Sequence, residues 1–253
     1  LANVVTGRMK GFQAACVANV VTNNCDGWQV SGFVNAVAKD VNQVQISGLV
    51  NYGNDLSGLQ LAGLINIARH ENSGAQIAAF LNCATTVNGL QLAAVNVCNE
   101  VIRGTPIGFF SYVQRGYHLF ELSGNEIFYG NVAFKSGTRS FYNFAQIGMG
   151  SGYKLHLSYG IGTIFTLKKK LSMNIDASLG FVYHPTDTVY HGMLLKFNPA
   201  LEYRVAGHFA IFAGPAYNYF LFSKGKPSAT PRGLSTYDFY FRSTEHASIQ
   251  MWI

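Results

Sequence analysis

The segment Gly58–Asn66 has the sequence Gly-Leu-Gln-Leu-Ala-Gly-Leu-Ile-Asn, and close copies of it recur through the first half of the chain. Six copies run from a glutamine to an asparagine: Gln13–Asn19, Gln29–Asn35, Gln45–Asn51, Gln60–Asn66, Gln76–Asn82 and Gln91–Asn96. Successive glutamines lie 16, 16, 15, 16 and 15 residues apart. This period is too short for a helical hairpin or a propeller blade, but it accommodates one strand of about ten residues and a turn. The repeat predicts a β-architecture built by repetition.

Each copy alternates between two unlike rows of side chains, as a strand with two different faces does. In the fourth copy one row is Gln60, Ala62, Leu64 and Asn66, and the other is Leu61, Gly63, Ile65 and Ile67. The segments between copies are polar and rich in Asn, Asp, Ser and Gly, which is typical of turns.

The composition is unusual for a soluble domain. Of 253 residues, 49% are apolar and only 12% are charged, about half the usual charged share. No apolar stretch is long enough for a transmembrane helix, so alternating strands on an apolar chain favour an outer-membrane barrel. The net charge of +6 comes from scattered basic residues, and nucleic-acid binding is not expected.

Beyond residue 113 the repeat ends and aromatic residues become frequent: 27 of the 35 aromatic residues lie there. Three segments alternate cleanly between an apolar and a polar face. The apolar face of the first includes Tyr153, Leu155, Leu157, Tyr159, Ile161 and Phe165, against Lys154, His156, Ser158, Gly160 and Gly162. A lipid-facing exterior and a wet lumen require this pattern. We divide the chain into a strand-turn repeat region, 1–113, and aromatic-rich barrel strands, 114–253.

The favoured fold is an all-β, antiparallel outer-membrane β-barrel of about 14–18 strands, with the repeats as its first strands. In such a meander Asn66 pairs with Gln76, and Cys83 lies roughly 20 Å from Cys98. The alternative is an N-terminal β-solenoid followed by a smaller C-terminal barrel or sheet, in which the asparagines stack and the two cysteines are neighbours. A soluble sandwich is the third possibility. The barrel is favoured because the turn half of each repeat looks too polar to supply a second core-facing side.

The candidate site residues fall into two sets, neither of them catalytic, cofactor-binding or metal-binding. The first set is a structural amide row: Gln13, Asn19, Gln29, Asn35, Gln45, Asn51, Gln60, Asn66, Gln76, Asn82, Gln91 and Asn96. The second is a set of lumen charges that would rigidify a barrel or set its ion preference: Lys154, Asp176, Lys196, Glu202 and Arg204.

Two chemical hypotheses remain open. His184 and His191 flank a segment with Asp187, a possible metal site, and His156 with Ser158 on the polar face could resemble a barrel hydrolase. The sequence contains no third partner for the second, and no cofactor is expected.

The repeat unit Gly-x-Gln-(Val/Ile/Leu)-(Ala/Ser)-(Gly/Ala)-x-x-Asn resembles the surface-repeat proteins of Bacteroidota, which are related to a leptospiral surface-repeat family. The resemblance extends over nearly the whole chain: Thr105–Phe110, Tyr117–Ser123, Tyr159–Thr163 and Phe212–Pro215. It implies a surface or outer-membrane protein of unknown function in a Gram-negative envelope. Members continue beyond a segment like Gln250–Trp252 to a terminal aromatic strand, and they provide no catalytic residues.

These observations predict a non-enzymatic outer-membrane protein that is structural, a passive channel or a subunit of a surface assembly. Its expected partners are the lipid bilayer and other envelope proteins. The alternative is a surface-exposed, adhesin-like repeat module whose exposed Gln and Asn rows bind glycan or protein. The long proline-containing segment Ser223–Asp238 is expected to lie outside the cell.

Overall fold

A computed structural model describes residues 1–125, 127–150, 154–183, 192–206, 209–222 and 247–252. It divides the chain into two compact units, Leu1–Gly116 and Tyr117–Ile253, close to the predicted division at residue 113. The described secondary structure is entirely β. Within these residues no helix is long and apolar enough to cross a membrane.

The strands form three sheets. The first sheet of the N-terminal unit contains β1 (Ala2–Val5), β3 (Ala18–Val21), β5 (Val34–Val37), β7 (Val50–Gly53), β9 (Ile65–Asn72), β11 (Leu81–Val87), β13 (Val95–Val101) and β15 (Phe110–Val113). The second contains β2 (Met9–Ala15), β4 (Cys25–Ser31), β6 (Val44–Ser47), β8 (Leu59–Ala62), β10 (Ala75–Ala78), β12 (Leu90–Leu92) and β14 (Thr105–Ile107). The C-terminal sheet contains β16 (Tyr117–Ser123), β17 (Gly130–Gly137), β18 (Tyr142–Gly150), β19 (Lys154–Lys168), β20 (Leu171–Tyr183), β21 (Gly192–Ala206), β22 (Phe209–Pro215), β23 (Tyr217–Phe222) and β24 (Ala247–Trp252).

The N-terminal unit is a parallel β-solenoid, so the antiparallel assignment of the repeats is wrong. Every pairing among its described strands is parallel and aligns equivalent repeat residues, with Gln60 opposite Gln76 and Asn66 opposite Asn82, and the register of β9 and β11 shifts between Ala84 and Thr86. The predicted pairing of Asn66 with Gln76 does not occur. Cys98 lies opposite Ala84, one residue from Cys83, so these two cysteines are on neighbouring coils and not at the predicted distance. All four cysteines are free.

Each repeat is one coil of two short strands and not one strand of ten residues. In the fourth copy β8 ends at Ala62, the chain bends at Gly63 and Leu64, and β9 begins at Ile65. The bend turns Leu64 outward, whereas an uninterrupted strand would place it in the same row as Gln60 and Asn66. Gln60, Ala62 and Asn66 are buried and Leu64 is exposed.

The turn half of each repeat supplies the core side that the sequence interpretation found missing. The residue four positions before each glutamine points inward and is buried. These residues are Met9, Cys25, Val41, Leu56, Asn72 and Val87. All but Asn72 belong to a continuous apolar cluster that also includes Val21, Val37 and Cys98. A single apolar residue within a polar turn is therefore enough to complete the second side of the coil.

Glycine two positions before the glutamine lets successive coils approach closely. A Cβ on Gly74 would lie 1.9 Å from the carbonyl oxygen of Gly58, and one on Gly89 would lie 1.8 Å from that of Gly74. Because these are backbone contacts, no side chain can move aside, and five of the six copies have glycine at this position, whereas the third copy has Gln43.

The C-terminal unit is an antiparallel sheet that curls on itself. From β16 to β21 each strand pairs with the next one along the chain. β21 then pairs with β22, β22 with β24, and β24 with β16. Lys135 on β17 contacts Asp176 on β20, although β18 and β19 lie between these two strands in the sheet. Inner side chains that far apart can meet only if the sheet is strongly curled.

The predicted alternation of faces is confirmed for the described residues of this sheet. Leu157, Phe181 and Leu195 are exposed on the outer face, whereas Ser158, Asn174 and Lys196 are buried on the inner one. The predicted short turn at Lys168–Lys170 is also confirmed, because β19 and β20 are joined there.

Candidate functional site

The inner face of the C-terminal sheet holds a buried ionic cluster centred on Lys135. Its ammonium lies 2.6 Å from Glu121 Oε2 and 2.6 Å from Asp176 Oδ2. The Tyr142 hydroxyl donates a hydrogen bond to the other oxygen of Asp176. The Lys135 side chain is only 1% exposed, so the charge depends on these partners and on the faces of Tyr142 and Phe144, 5.1 and 5.5 Å away.

The sequence analysis missed Lys135, Glu121 and Tyr142. A signal was present: in β17, Val132 and Phe134 alternate with Asn131, Ala133 and Lys135, the same two-face pattern that marks β19 and β20. The predicted two-face strands all lie after residue 150, although the sheet begins at Tyr117. No sequence pattern, however, pairs Lys135 with a carboxylate 41 residues away.

The structure describes the surroundings of four of the five predicted lumen charges. Asp176 belongs to the Lys135 cluster, and Glu202 accepts a hydrogen bond from Asn174 Nδ2 at 2.9 Å. Lys196 is buried with its ammonium 5.9 Å from the Phe128 ring, and Arg204 is half-buried. The side chain of Lys154 lies outside the described residues.

The loop between β16 and β17 fills part of the interior. Asn125 Oδ1 accepts the backbone N–H groups of Ile127 and Phe128, which fixes the loop. Ile127 and Phe128 are buried against Val182 and Leu194. Apolar side chains therefore occupy an inner region that the alternation alone would assign to polar residues.

The hypothetical hydrolase pair is not assembled in the described residues. Ser158 Oγ donates to Gln146 Oε1 at 3.4 Å. His156 stacks on Phe128 with ring centroids 4.8 Å apart, and neither of its ring nitrogens has a hydrogen-bond partner there. The arrangement therefore contains no hydrogen-bonded nucleophile and base. His184, Asp187 and His191 lie outside the described residues.

The twelve residues of the amide row lie inside the solenoid as two separate ladders. Gln29 to Gln91 each donate to the glutamine of the preceding coil at 2.8–3.1 Å. Asn19 to Asn82 each donate to the asparagine of the following coil at 2.9–3.1 Å. An amide both donates and accepts, so identical side chains can stack without leaving a partner unsatisfied. Because these residues are buried, the rows are not available to a ligand outside the coil.

The asparagines also join the two sheets of the solenoid. Asn51 donates to the backbone carbonyl of Leu61, and Asn66 donates to that of Ile77, both at 2.8 Å and both in the opposite sheet of the next coil. The ladder ends at β14 and β15, where Pro106 replaces the glutamine and Ser111 the asparagine.

A shallow groove of about 230 Å³ follows the polar turns of the solenoid. Its walls include Asp40, Asp55, Ser57, Glu71 and Ser73. Glu71 accepts hydrogen bonds from Ser73 and, at 2.7 Å, from Asn88, which lower the pKa of its carboxyl group. The groove is therefore polar and negatively charged at neutral pH. The described residues contain no group of three His, Cys, Asp or Glu side chains that could hold a metal ion.

The comparisons with known proteins give no relative for this chain: no family model, no curated protein and no solved structure matches it.

Proposed function

We propose that this chain is a non-enzymatic outer-membrane protein whose C-terminal sheet closes into a membrane-spanning barrel that anchors the solenoid. The observation that carries the proposal is the inverted distribution of polarity in this sheet. Leu157, Phe181 and Leu195 are exposed on its outer face, and Lys135 and Asp176 are buried on its inner face. A soluble protein hides its apolar residues, but a barrel in lipid does the reverse.

Strand length and pairing also support a membrane barrel. β19, β20 and β21 contain 15, 13 and 15 residues, more than the roughly 9–11 that a tilted strand needs to cross a bilayer. The ring of pairings through β24 back to β16 would leave no open edge in the hydrocarbon. Exposed Phe165 and Tyr183 near the strand ends suit the aromatic belts of such barrels.

The proposed role is structural and not that of a channel. The ring of pairings contains eight strands, β16 to β22 and β24, and eight-stranded barrels are just wide enough for their side chains to fill. Here the Lys135 cluster and the Ile127–Phe128 loop occupy the inner region. We therefore expect no conductance when the purified protein is reconstituted in a planar bilayer. A stable single-channel current would contradict the structural role and favour a passive channel.

Partitioning between water and detergent tests the membrane assignment. The full chain should stay with the membrane pellet through a urea wash and dissolve only in detergent. Leu157→Asp on the outer face should reduce recovery in the membrane fraction, whereas Thr166→Asp, beside the exposed Lys168–Lys170 turn, should not. Recovery of the unaltered protein in the aqueous phase without detergent would overturn the proposal.

The acidic groove favours a second candidate function, a surface module that binds glycan or protein. In this case the ligand would contact the polar turns and not the buried amide rows. Asp55→Asn with Glu71→Gln should abolish binding on a glycan array while leaving the fold intact. Arrays that show no ligand for the unaltered protein would count against a glycan.

A further inference from the structure

The solenoid carries an exposed apolar ridge along one of its long edges. One residue per coil contributes, at the bend between the two strands: Val17, Phe33, Leu49, Leu64 and Phe80. We call this set the apolar edge. Backbone hydrogen bonds of 3.1–3.3 Å run from each of these residues to the one before, so they stack in a continuous line. Phe80 is 57% exposed and Phe33 49% exposed.

Both sheets extend the apolar surface away from this edge. The outward residue after each glutamine is aliphatic in five successive coils: Val30, Ile46, Leu61, Ile77 and Leu92. The outward residue before each asparagine is also aliphatic: Ala18, Val34, Val50, Ile65, Leu81 and Val95. The apolar surface therefore covers the bend and continues onto two faces that point in opposite directions.

The charged residues of the solenoid lie at the opposite edge. Residues 1–116 contain eleven Lys, Arg, Asp and Glu residues, and each lies at least three positions in sequence from any residue of the glutamine and asparagine rows. They are Arg8, Lys10, Asp26, Lys39, Asp40, Asp55, Arg69, Glu71, Glu100, Arg103 and Arg115. Six of these residues are basic and five are acidic, so the polar edge carries little net charge. The charged residues are nevertheless separated from the apolar surface.

The shape of the apolar surface distinguishes a lipid from a protein occupant. A second copy, or any flat partner, could cover one sheet face but would leave the other face exposed to water. Fluid acyl chains can cover both faces and the bend at once. The seven strands of the second sheet, β2 to β14, form a stack about 30 Å long. A continuous apolar surface of this length is much larger than the scattered apolar residues that soluble proteins expose.

We propose that the solenoid is a lipid-binding wedge whose apolar edge enters the interface of a bilayer while the polar turns stay in water. Amphipathic elements of this kind enter roughly 5–10 Å, to the boundary of headgroups and acyl chains. Backbone groups within the stack are satisfied by neighbouring coils, and at this depth those of the end coils can still reach water. The proposal concerns residues 1–116 and does not depend on the barrel assigned to the C-terminal unit.

Site-specific fluorescence in the full chain tests the wedge. Cys16 and Cys83 are changed to Ser, which leaves only the buried Cys25 and Cys98. A single new cysteine then carries an environment-sensitive probe at one of three places: Phe80→Cys on the apolar edge, Ser57→Cys on the polar turns, or Leu157→Cys on the outer face of the C-terminal sheet. The protein is reconstituted in phosphatidylcholine vesicles with and without a spin-labelled lipid. Protection of Cys98 from alkylation verifies that each variant is folded.

We expect the lipid quencher to reduce emission at Phe80→Cys at least two-fold more than at Ser57→Cys, at both low and high salt. Salt should have no effect, because the contact is apolar. If Phe80→Cys is no more quenched than Ser57→Cys while Leu157→Cys is quenched, the wedge is wrong and the barrel stands. If Phe80→Cys is quenched and Leu157→Cys is not, the wedge stands and the barrel is wrong. Disulfide-linked dimers of the unlabelled Phe80→Cys variant, with no lipid quenching of the labelled one, would show that a second copy and not lipid covers the edge, and would overturn the proposal.

Discussion

The two units of this protein bury polar side chains in different ways. In the solenoid the glutamine and asparagine rows are buried neutral amides, and they bond to identical residues 14–16 positions away. In the C-terminal sheet buried charged groups occur among neutral ones, and Lys135 bonds to Asp176 across 41 residues. The first arrangement repeats in every coil, whereas the second occurs once.

This difference follows from what each geometry allows. Parallel coils in register place every residue beside its own equivalent, and only a group that both donates and accepts can satisfy itself in this way. Stacked carboxylates or ammonium groups would repel one another. A curled antiparallel sheet places unlike residues opposite each other, so opposite charges can meet there. The buried chemistry of each unit is therefore limited by its strand register.

The comparison predicts that the C-terminal sheet is the more sensitive to a single substitution. Lys135→Met leaves Glu121 and Asp176 buried without their cation, and breaking a buried ion pair costs about 3–5 kcal/mol. The free energy of unfolding in detergent, from a urea titration, measures the loss. Lys169→Met in the exposed turn is the matched control and should change stability by less than about 0.5 kcal/mol. A Lys135→Met variant as stable as that control would show that the cluster does not hold the sheet.

A substitution within a ladder should cost less, because it leaves neutral groups unpaired. Gln60→Leu removes the donor to Gln45 Oε1 and the acceptor of Gln76 Nε2, for about 2 kcal/mol. Gln13→Leu at the end of the row has one ladder neighbour, Gln29, and should cost about half as much. Unfolding of the two variants can be followed through the exposure of the Cys98 thiol to an alkylating reagent. Equal losses at the centre and the end would argue against a ladder that acts through neighbour contacts.

The cysteines report on the solenoid alone, because all four lie in residues 1–116. Burial raises the pKa of Cys98 to about 12, and it also raises the pKa of Cys25, so both thiols are poor nucleophiles at neutral pH. We expect iodoacetamide to modify exposed Cys16 first and to reach Cys25 and Cys98 only in denaturant, as measured by mass spectrometry of peptides. Rapid modification of Cys98 under native conditions would contradict the stacked coils.

The smallest expected effect concerns the exposed pair Arg8 and Asp26. The hydrogen bond from Arg8, followed by that from Asn42, lowers the pKa of the Asp26 carboxyl group. Because the pKa is lower in the folded state, the stabilisation is present above the unfolded value near 4 and is lost as the pH falls through the folded value. Arg8→Ala should therefore lower the melting temperature slightly at pH 7 and not at pH 2. A difference that persisted at pH 2 would assign the effect of Arg8 to packing.

The sequence analysis favoured the wrong arrangement of the repeats because a meander strand and a solenoid coil share the same two-residue alternation. One residue argued against the strand: Leu64, with its equivalents Phe33 and Phe80, would have placed a large apolar side chain in a polar lumen in five of the six repeats. Another signal was the apolar residue four positions before every glutamine except Gln76, such as Val41 and Leu56. Both become meaningful only when the chain is allowed to bend within the repeat.

By itself the sequence determined the all-β class, the period of the repeats, the change of character after residue 113 and the two faces of the C-terminal strands. These properties depend on neighbouring residues and on local periodicity, which are written directly in the chain. The tertiary structure alone decided that Gln60 lies beside Gln76, that Leu64 points outward and that Lys135 meets Glu121 and Asp176. These depend on which strands become neighbours, and a two-residue period is the same for a parallel and an antiparallel neighbour.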